Sequence, residues 1–145
     1  MSTDRMRTIE AVEARDGARL FLRWSDGTEA EVALPADVLN ALGGAARFPS
    51  ARLGDWGHSI AWPNGYEIGA DSLWLDTLKA TGREDAAEFL AWRMRNGLSL
   101  AKAAEALGLA RRTVAYYSNG ERRVPKAILL ACKGWEASGG MAKAA

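Results

Sequence analysis

Four arginines and two tyrosines lie within nineteen residues, Leu107 to Pro125, of a chain whose net charge is only +1. Arginine carries a planar fork of N–H donors that can bind a guanine edge at two atoms or neutralise a phosphate. Tyrosine can pack on a thymine methyl or bond a phosphate. The composition is therefore typical of a nucleic-acid surface or of a solvated basic helix, and the positions of the side chains must decide between them.

Charge is divided unevenly along the chain. Residues 1–80 contain 8 Lys and Arg against 12 Asp and Glu, whereas residues 81–145 contain 11 against 6. The net charges of −4 and +5 predict two modules with different partners, and the basic module is the candidate for binding a polyanion. We predict an α+β domain at 1–78, a helical domain at 81–138 and a disordered tail at 139–145.

The apolar spacing after residue 80 is helical. Thr81 to Glu84 fits a capping box at the start of a first helix. Ser99 is suited to cap a second helix and Gly108 to end it. A third helix is predicted at about 110–118, and Pro125 suits the first position of a fourth.

The second and third of these helices fit a helix-turn-helix. Ala104 provides the small residue where two helices cross, and Gly108 can take the left-handed conformation of a tight turn. The apolar residues that would hold the third helix down are Leu107, Leu109, Val114 and Tyr117. Since Val114 and Tyr117 share a helix face, other side chains are expected to point outward. These are Arg111, Arg112, Ala115 and Tyr116.

Residues 84–137 resemble the lambda-repressor-like, XRE-type DNA-binding domains. The residues at family spacing are Arg93, Gly97, Leu98, Ser99, Ala104, Leu107, Gly108 and Gly120. The resemblance implies that Leu109–Ser118 contains a recognition helix for double-stranded DNA. The implied groove-facing residues are Arg111, Arg112, Ala115, Tyr116 and Asn119. The other candidate DNA-binding residues, most of them expected to contact the backbone, are Ser99, Lys102, Arg122, Arg123 and Lys126.

Two positions depart from the XRE-type pattern. Leu100 stands where the family often has a glutamine that touches phosphate, and Ala110 replaces a common serine or threonine. Each departure removes one possible contact with the DNA backbone, and the second also removes a possible helix cap.

The first half of the chain has the period-two alternation of strands. Asp26-Gly27 separates two alternating runs and predicts a hairpin with a two-residue turn that needs positive φ at both positions. Asn64-Gly65 marks a second hairpin, and Thr8–Ala14 is a candidate third strand. The predicted fold class is an α+β N-terminal domain of two β-hairpins with a short helix at 35–42, followed by an all-α lambda-repressor-like helix-turn-helix domain.

Residues 6–76 also resemble a small bacterial family, the domain of unknown function 2442 (DUF2442). The segments that carry this resemblance are Trp24–Thr28, Arg47-Phe48, Ile60–Ile68 and Asp71–Leu73. The resemblance implies an α+β domain used for dimerisation or partner binding, sometimes placed before a helix-turn-helix. Some relatives resemble antitoxins of toxin-antitoxin pairs.

No catalytic or metal-binding set is apparent in the sequence. His58 lies near Asp55, but residues entering a strand alternate faces and an ordered nucleophile is lacking. Cys132 is interpreted as a small buried residue. One cysteine excludes an internal disulfide, and one cysteine with one histidine cannot form a typical zinc site. We expect no enzymatic activity and no cofactor.

The sequence thus predicts a cytoplasmic, DNA-binding transcriptional regulator without a membrane partner. No apolar run approaches the ~18 residues that a bilayer requires, and the acidic residues near the N-terminus do not suit a signal peptide. A homodimeric repressor would read a pseudo-palindromic operator. The alternative is an antitoxin that binds a toxin through its N-terminal domain and autoregulates its operon.

Overall fold

The computed structural model describes residues 7–140. The chain is an α+β fold in which a β-sheet region precedes a series of helices. It divides into two compact units, an N-terminal unit that ends at Thr81 and a helical unit that begins at Gly82.

The N-terminal unit contains two three-stranded antiparallel sheets. The strands of the first sheet are β1 (Ile9–Arg15), β2 (Arg19–Trp24) and β3 (Glu29–Ala33). The strands of the second sheet are β4 (Arg52–Leu53), β5 (Ser59–Ala61) and β6 (Glu67–Gly69). Helix α1 (Ala36–Ala41) lies between the sheets in sequence, and helix α2 (Ala70–Ala80) follows them.

Tryptophans anchor the core of this unit. Leu20, Leu22 and Trp24 alternate along β2 and are fully buried, and the Trp24 indole N–H donates to the Thr77 hydroxyl of α2 (3.0 Å). The Trp62 indole is also buried and donates to the carbonyl oxygen of Phe48 (3.1 Å). Each large ring therefore contributes apolar burial while its one polar atom is satisfied.

Four helices form the described part of the helical unit: α3 (Glu84–Arg95), α4 (Leu100–Leu107), α5 (Arg111–Asn119) and α6 (Lys126–Ala137). Aromatic rings link them, since Phe89 packs edge-on against Tyr117 (5.5 Å between centroids) and Trp92 against Trp135 (5.6 Å). The core residues are Phe89, Trp92, Leu98, Ala103, Ala104, Val114, Tyr117, Val124 and Cys132.

The predicted fold class is wrong. The N-terminal part has two three-stranded sheets and the eleven-residue helix α2, instead of two hairpins with a short helix. Five helices, α2–α6, follow the sheets, and they do not plainly form the all-α lambda-repressor-like domain expected after residue 80. The physical reason is that the matching glycines and cap residues specify one local helix pair, not the arrangement of the helices around it.

Two local predictions also fail. Thr81 does not cap α3, which begins after Arg83; the Thr81 hydroxyl instead donates to the Thr77 carbonyl at the end of α2 (2.8 Å). In the turn between β2 and β3, Gly27 takes a positive φ but Asp26 does not. The Asp26 carboxylate accepts from the Thr28 amide (3.0 Å), so a side chain and not a second positive φ shapes the turn.

Of the tail predicted at 139–145, residues 141–145 lie outside the described residues. A helix that crosses a bilayer would need a longer apolar run than any helix between residues 7 and 140 provides.

Trp56 combines high exposure with an unusual backbone conformation. Its side chain is 88% exposed, and its φ of 59° and ψ of 17° are left-handed. The next residue, Gly57, packs so closely on β1 that a Cβ there would lie 2.5 Å from the Ile9 carbonyl oxygen. The packing of the surrounding loop therefore holds Trp56 in a conformation that costs an L-residue free energy.

We expect Trp56→Gly to be more stable than Trp56→Ala by roughly 0.5–1 kcal/mol, because glycine avoids the left-handed penalty and loses only part of this gain to backbone entropy. Both variants remove the same exposed indole, so alanine is the matched control. Urea unfolding of the two variants measures the difference. Equal stabilities would show that the loop does not hold position 56 in the left-handed region.

The Glu136 carboxylate ties the end of α6 to the end of α3. It accepts from two nitrogens of the Arg95 guanidinium (2.9 Å each) and from the Asn96 amide (2.8 Å). These hydrogen bonds, those from Arg95 first, lower the pKa of Glu136 to about 2. Because the folded pKa is depressed, the resulting stability is present above the ordinary glutamate value and is lost as the pH falls toward 2.

Glu136→Gln should therefore reduce the loss of stability that accompanies acidification from about pH 5 to about pH 3. Thermal unfolding at both pH values gives the comparison with the wild type. Glu105→Gln, which changes an exposed glutamate on α4, is the control and should leave the acid response unchanged. An acid response of Glu136→Gln identical to that of the wild type would contradict the assignment.

Candidate nucleic-acid interface

Helices α4 and α5 are joined by a short turn that the sequence predicted in detail. The Ser99 hydroxyl accepts from the Lys102 amide (3.1 Å) and caps α4, as expected. Gly108 has a φ of 69°, and the following Leu109 amide donates to the Ala104 carbonyl (2.9 Å). The left-handed glycine lets the chain reverse within three residues and begin α5 at Arg111.

The inner face of α5 is fixed by apolar and polar contacts. Val114 is fully buried and Tyr117 is 9% exposed, both in the core of the unit. Ser118 is buried, and its hydroxyl donates to the Val114 carbonyl (2.8 Å) while accepting from the Arg93 guanidinium (2.8 Å). Arg93 also donates to the Leu98 carbonyl (3.3 Å), so one arginine of α3 supports both the entry to α4 and the far end of α5.

The outer face of α5 agrees with the predicted set except at one position. Arg111 and Arg112 are exposed in its first turn, and Tyr116 and Asn119 are partly exposed. Ala115 is only 1% exposed, so its assignment as a groove-facing residue is wrong. The three-residue spacing of Val114 and Tyr117 suggested a narrow buried stripe. The buried stripe of α5 is wider, and it also includes Ala115.

The segment Gly120–Val124, hereafter the basic loop, follows α5. The backbone amides of Glu121 and Arg122 both donate to the Tyr116 carbonyl (3.0 and 3.3 Å). The Arg122 guanidinium lies over the Tyr116 ring, 4.3 Å from its centroid. The structure therefore brings together two of the predicted site residues in a cation–π contact, which lies beside the outer face of α5.

Two residues at the start of α3 hold the basic loop, and sequence reasoning missed both. Arg83 donates to the carbonyl oxygens of Gly120 and Arg122 (3.0 Å for the second). Asp85 accepts from the Val124 amide (2.7 Å) and from the Arg123 guanidinium (3.3 Å). The partners lie 37 to 39 positions apart in the chain, and no local pattern signals such a pairing.

Six exposed cations lie on four consecutive segments of the helical unit. They are Lys102 on α4, Arg111 and Arg112 on α5, Arg122 and Arg123 in the basic loop, and Lys126 at the start of α6. Such a set supplies hydrogen bond donors for base edges and positive charge for phosphates. The arrangement can bind a polyanion.

Cys132 and His58, the other residues with reactive side chains, do not belong to this set of exposed cations. Cys132 is buried on α6, and burial raises the pKa of its thiol to about 11. Within residues 7–140, no group of three or more His, Cys, Asp and Glu side chains is placed to hold a metal ion. His58 is exposed in the N-terminal unit, just before β5.

The fold and these residues define an α+β protein in which two helices joined by a short turn, α4 and α5, carry exposed cations. No family model matches the chain, and no curated protein matches it. Among solved structures, the chain is similar to "Putative DNA Binding Protein NE0471" from Nitrosomonas europaea ATCC 19718, at 34% identity and a TM-score of 0.66. The match covers 94% of this chain and 91% of the other, so the chain belongs to the family of that protein. The resemblances to DUF2442 and to XRE-type domains stay predictions.

The burial of Ala115 can be tested by overpacking. Ala115→Leu should destabilise the protein by about 1–3 kcal/mol, because the added atoms enter a filled interior. The matched control is Ala110→Leu, at an exposed position just before α5, which should change stability by less than about 0.5 kcal/mol. Urea unfolding compares the two variants. If the two variants had equal free energies of unfolding, Ala115 would lie on the outer face of α5.

Proposed function

We propose that this protein binds double-stranded DNA sequence-specifically and acts as a transcriptional regulator. The observation that carries the proposal is the pair of exposed arginines, Arg111 and Arg112, in the first turn of a helix whose opposite face is locked into the core. A recognition helix needs this combination, because its N-terminal side chains meet base edges while its back is held by the fold. Similarity to the Nitrosomonas protein, which is described as DNA-binding, supports the proposal.

In this proposal α5 enters the major groove by its N-terminal turn. Arg111 or Arg112 binds guanine at two atoms, the contact that best distinguishes one base pair from another. Tyr116 and Asn119 lie further along the same helix and extend the reading surface. The cations that neutralise phosphates on either side are Lys102, Arg122, Arg123 and Lys126. The Ser99 hydroxyl, whose oxygen caps α4, keeps its own proton to donate to a phosphate.

One α5 reads only a few base pairs, so specificity requires two copies. A two-fold symmetric dimer would place two recognition helices about 34 Å apart and would select a pseudo-palindromic operator. Occupation of a promoter would exclude polymerase, which makes the protein a repressor acting in the cytoplasm. This mechanism requires no cofactor.

An antitoxin role is the second candidate, and an exposed residue of the N-terminal unit favours it. Trp56 is 88% exposed, and Leu53, three residues before it, is 39% exposed. Tryptophan is enriched among the residues that dominate protein interfaces. In this version the N-terminal unit binds a toxin and the helical unit autoregulates the operon.

The decisive experiment is selection of bound sites from random DNA by the full-length protein. We expect a pseudo-palindrome with half-sites about one helical turn apart. Arg112→Ala should relax base preference at one position in each half-site, by about 1–3 kcal/mol. Lys102→Ala should instead weaken binding to all sequences and reduce the slope of log affinity against log salt by about 0.9.

The matched control is Arg23→Ala, which removes one exposed arginine of β2 and should leave the selected sequence unchanged. The groove assignment of α5 is wrong if Arg111→Ala and Arg112→Ala both select the wild-type sequence. Failure of the wild-type protein to enrich any sequence would overturn the proposed function itself.

A further inference from the structure

Two residues at the start of α3, Arg83 and Asp85, hold the basic loop after α5 by hydrogen bonds. We infer that Arg83 and Asp85 are positioning residues, which aim Arg122 and Arg123 of the basic loop at the DNA backbone. This inference rests on the proposed function, and it assigns a role to two residues outside the helix pair that would read the DNA. Neither residue would itself contact DNA.

Arg83 controls the direction of the loop carbonyls. Its guanidinium donates to the carbonyl oxygens of Gly120 and Arg122, and its side chain is only 20% exposed. A carbonyl oxygen repels a phosphate, because the oxygen carries a partial negative charge and the phosphate a full one. By binding these two oxygens, Arg83 keeps them from facing the DNA, and the loop presents its cationic side chains instead.

Asp85 controls the other end of the loop. Its carboxylate accepts from the Val124 amide (2.7 Å) and from its neighbour Arg83 (3.4 Å), which places the chain for Pro125 and α6. Burial acts to raise the pKa of Asp85, but the hydrogen bonds from Val124 and Arg83 outweigh it, so the pKa lies below its ordinary value. The carboxylate is therefore ionised at neutral pH and keeps its partners.

The two loop arginines are directed but still available. The Arg123 guanidinium is 3.3 Å from Asp85, yet its side chain is 74% exposed. Arg122 is held over the Tyr116 ring, 4.3 Å from the centroid. Each side chain has already given up part of its rotamer freedom, so binding a phosphate costs it less entropy.

The positioning role and simple electrostatics predict opposite changes in DNA affinity when Asp85 is removed. Removing a negative charge near a DNA site should by itself strengthen binding. If Asp85 positions the loop, Asp85→Ala should bind the selected operator about five- to tenfold more weakly at about 0.1 M salt, as expected when one phosphate is no longer bound. The salt slope should fall by about 0.9 for each such phosphate, and the selected sequence should not change.

Glu84→Ala is the matched control, since it removes the same charge from the neighbouring exposed residue of α3. It should bind the operator as tightly as the wild type or more tightly. Arg83→Gln should repeat the effect of Asp85→Ala, and Arg83→Lys should restore part of the affinity. Arg95→Gln, which breaks the ion pair with Glu136 at the other end of α3, controls for the removal of an arginine.

The measurement is operator affinity of the full-length variants by fluorescence anisotropy across a salt series, with thermal unfolding to show that each variant is folded. If Asp85→Ala does not fold, Arg83→Gln gives the same test, because it removes the hydrogen bonds to Gly120 and Arg122. Operator binding by Asp85→Ala as tight as that by Glu84→Ala would overturn the positioning role while leaving the proposed function intact. Absence of specific binding by the wild type would overturn the proposed function.

Discussion

The burial of Val114 and Tyr117 is the interaction on which the candidate site depends. These two side chains pin one face of α5 into a core of aromatic rings, with Tyr117 packed edge-on against Phe89. Because the inner face is fixed, the first turn of α5 presents Arg111 and Arg112 to the solvent. Interior packing is dense and resists displacement, so these contacts set the direction of α5.

The arginines of the helical unit divide into two groups that the sequence does not distinguish. Arg83 and Arg93 turn inward and bind backbone carbonyls and the Ser118 hydroxyl, where they fix the entry to α4 and the C-terminal end of α5. The exposed group supplies charge to the surface and includes Arg112 and Arg123. Charge-assisted hydrogen bonds to carbonyls are strong in a partly buried setting, so inward arginines stabilise turns that apolar contacts cannot reach.

Much of the local structure could be predicted from the sequence. The cap at Ser99, the left-handed turn at Gly108 and the buried faces of β2 and α5 are confirmed, because each depends on neighbouring residues or on a simple period. The errors have two causes. The two-residue strand β4 is too short to show a period, and the packing that buries Ala115 is not visible along the chain.

The sequence by itself determined that two helices flank the turn at Gly108, that Val114 and Tyr117 of the second face the core, and which segment carries the exposed charge. Backbone conformation and helix period are local properties, and local patterns encode them. Only the tertiary structure decided that helix α2 packs behind the first sheet, that Ala115 is buried, and that Arg83 and Asp85 hold the basic loop. The hydrogen bonds that fix α2 and the basic loop join residues from 37 to 53 positions apart, and packing selects such partners among many residues of the same type.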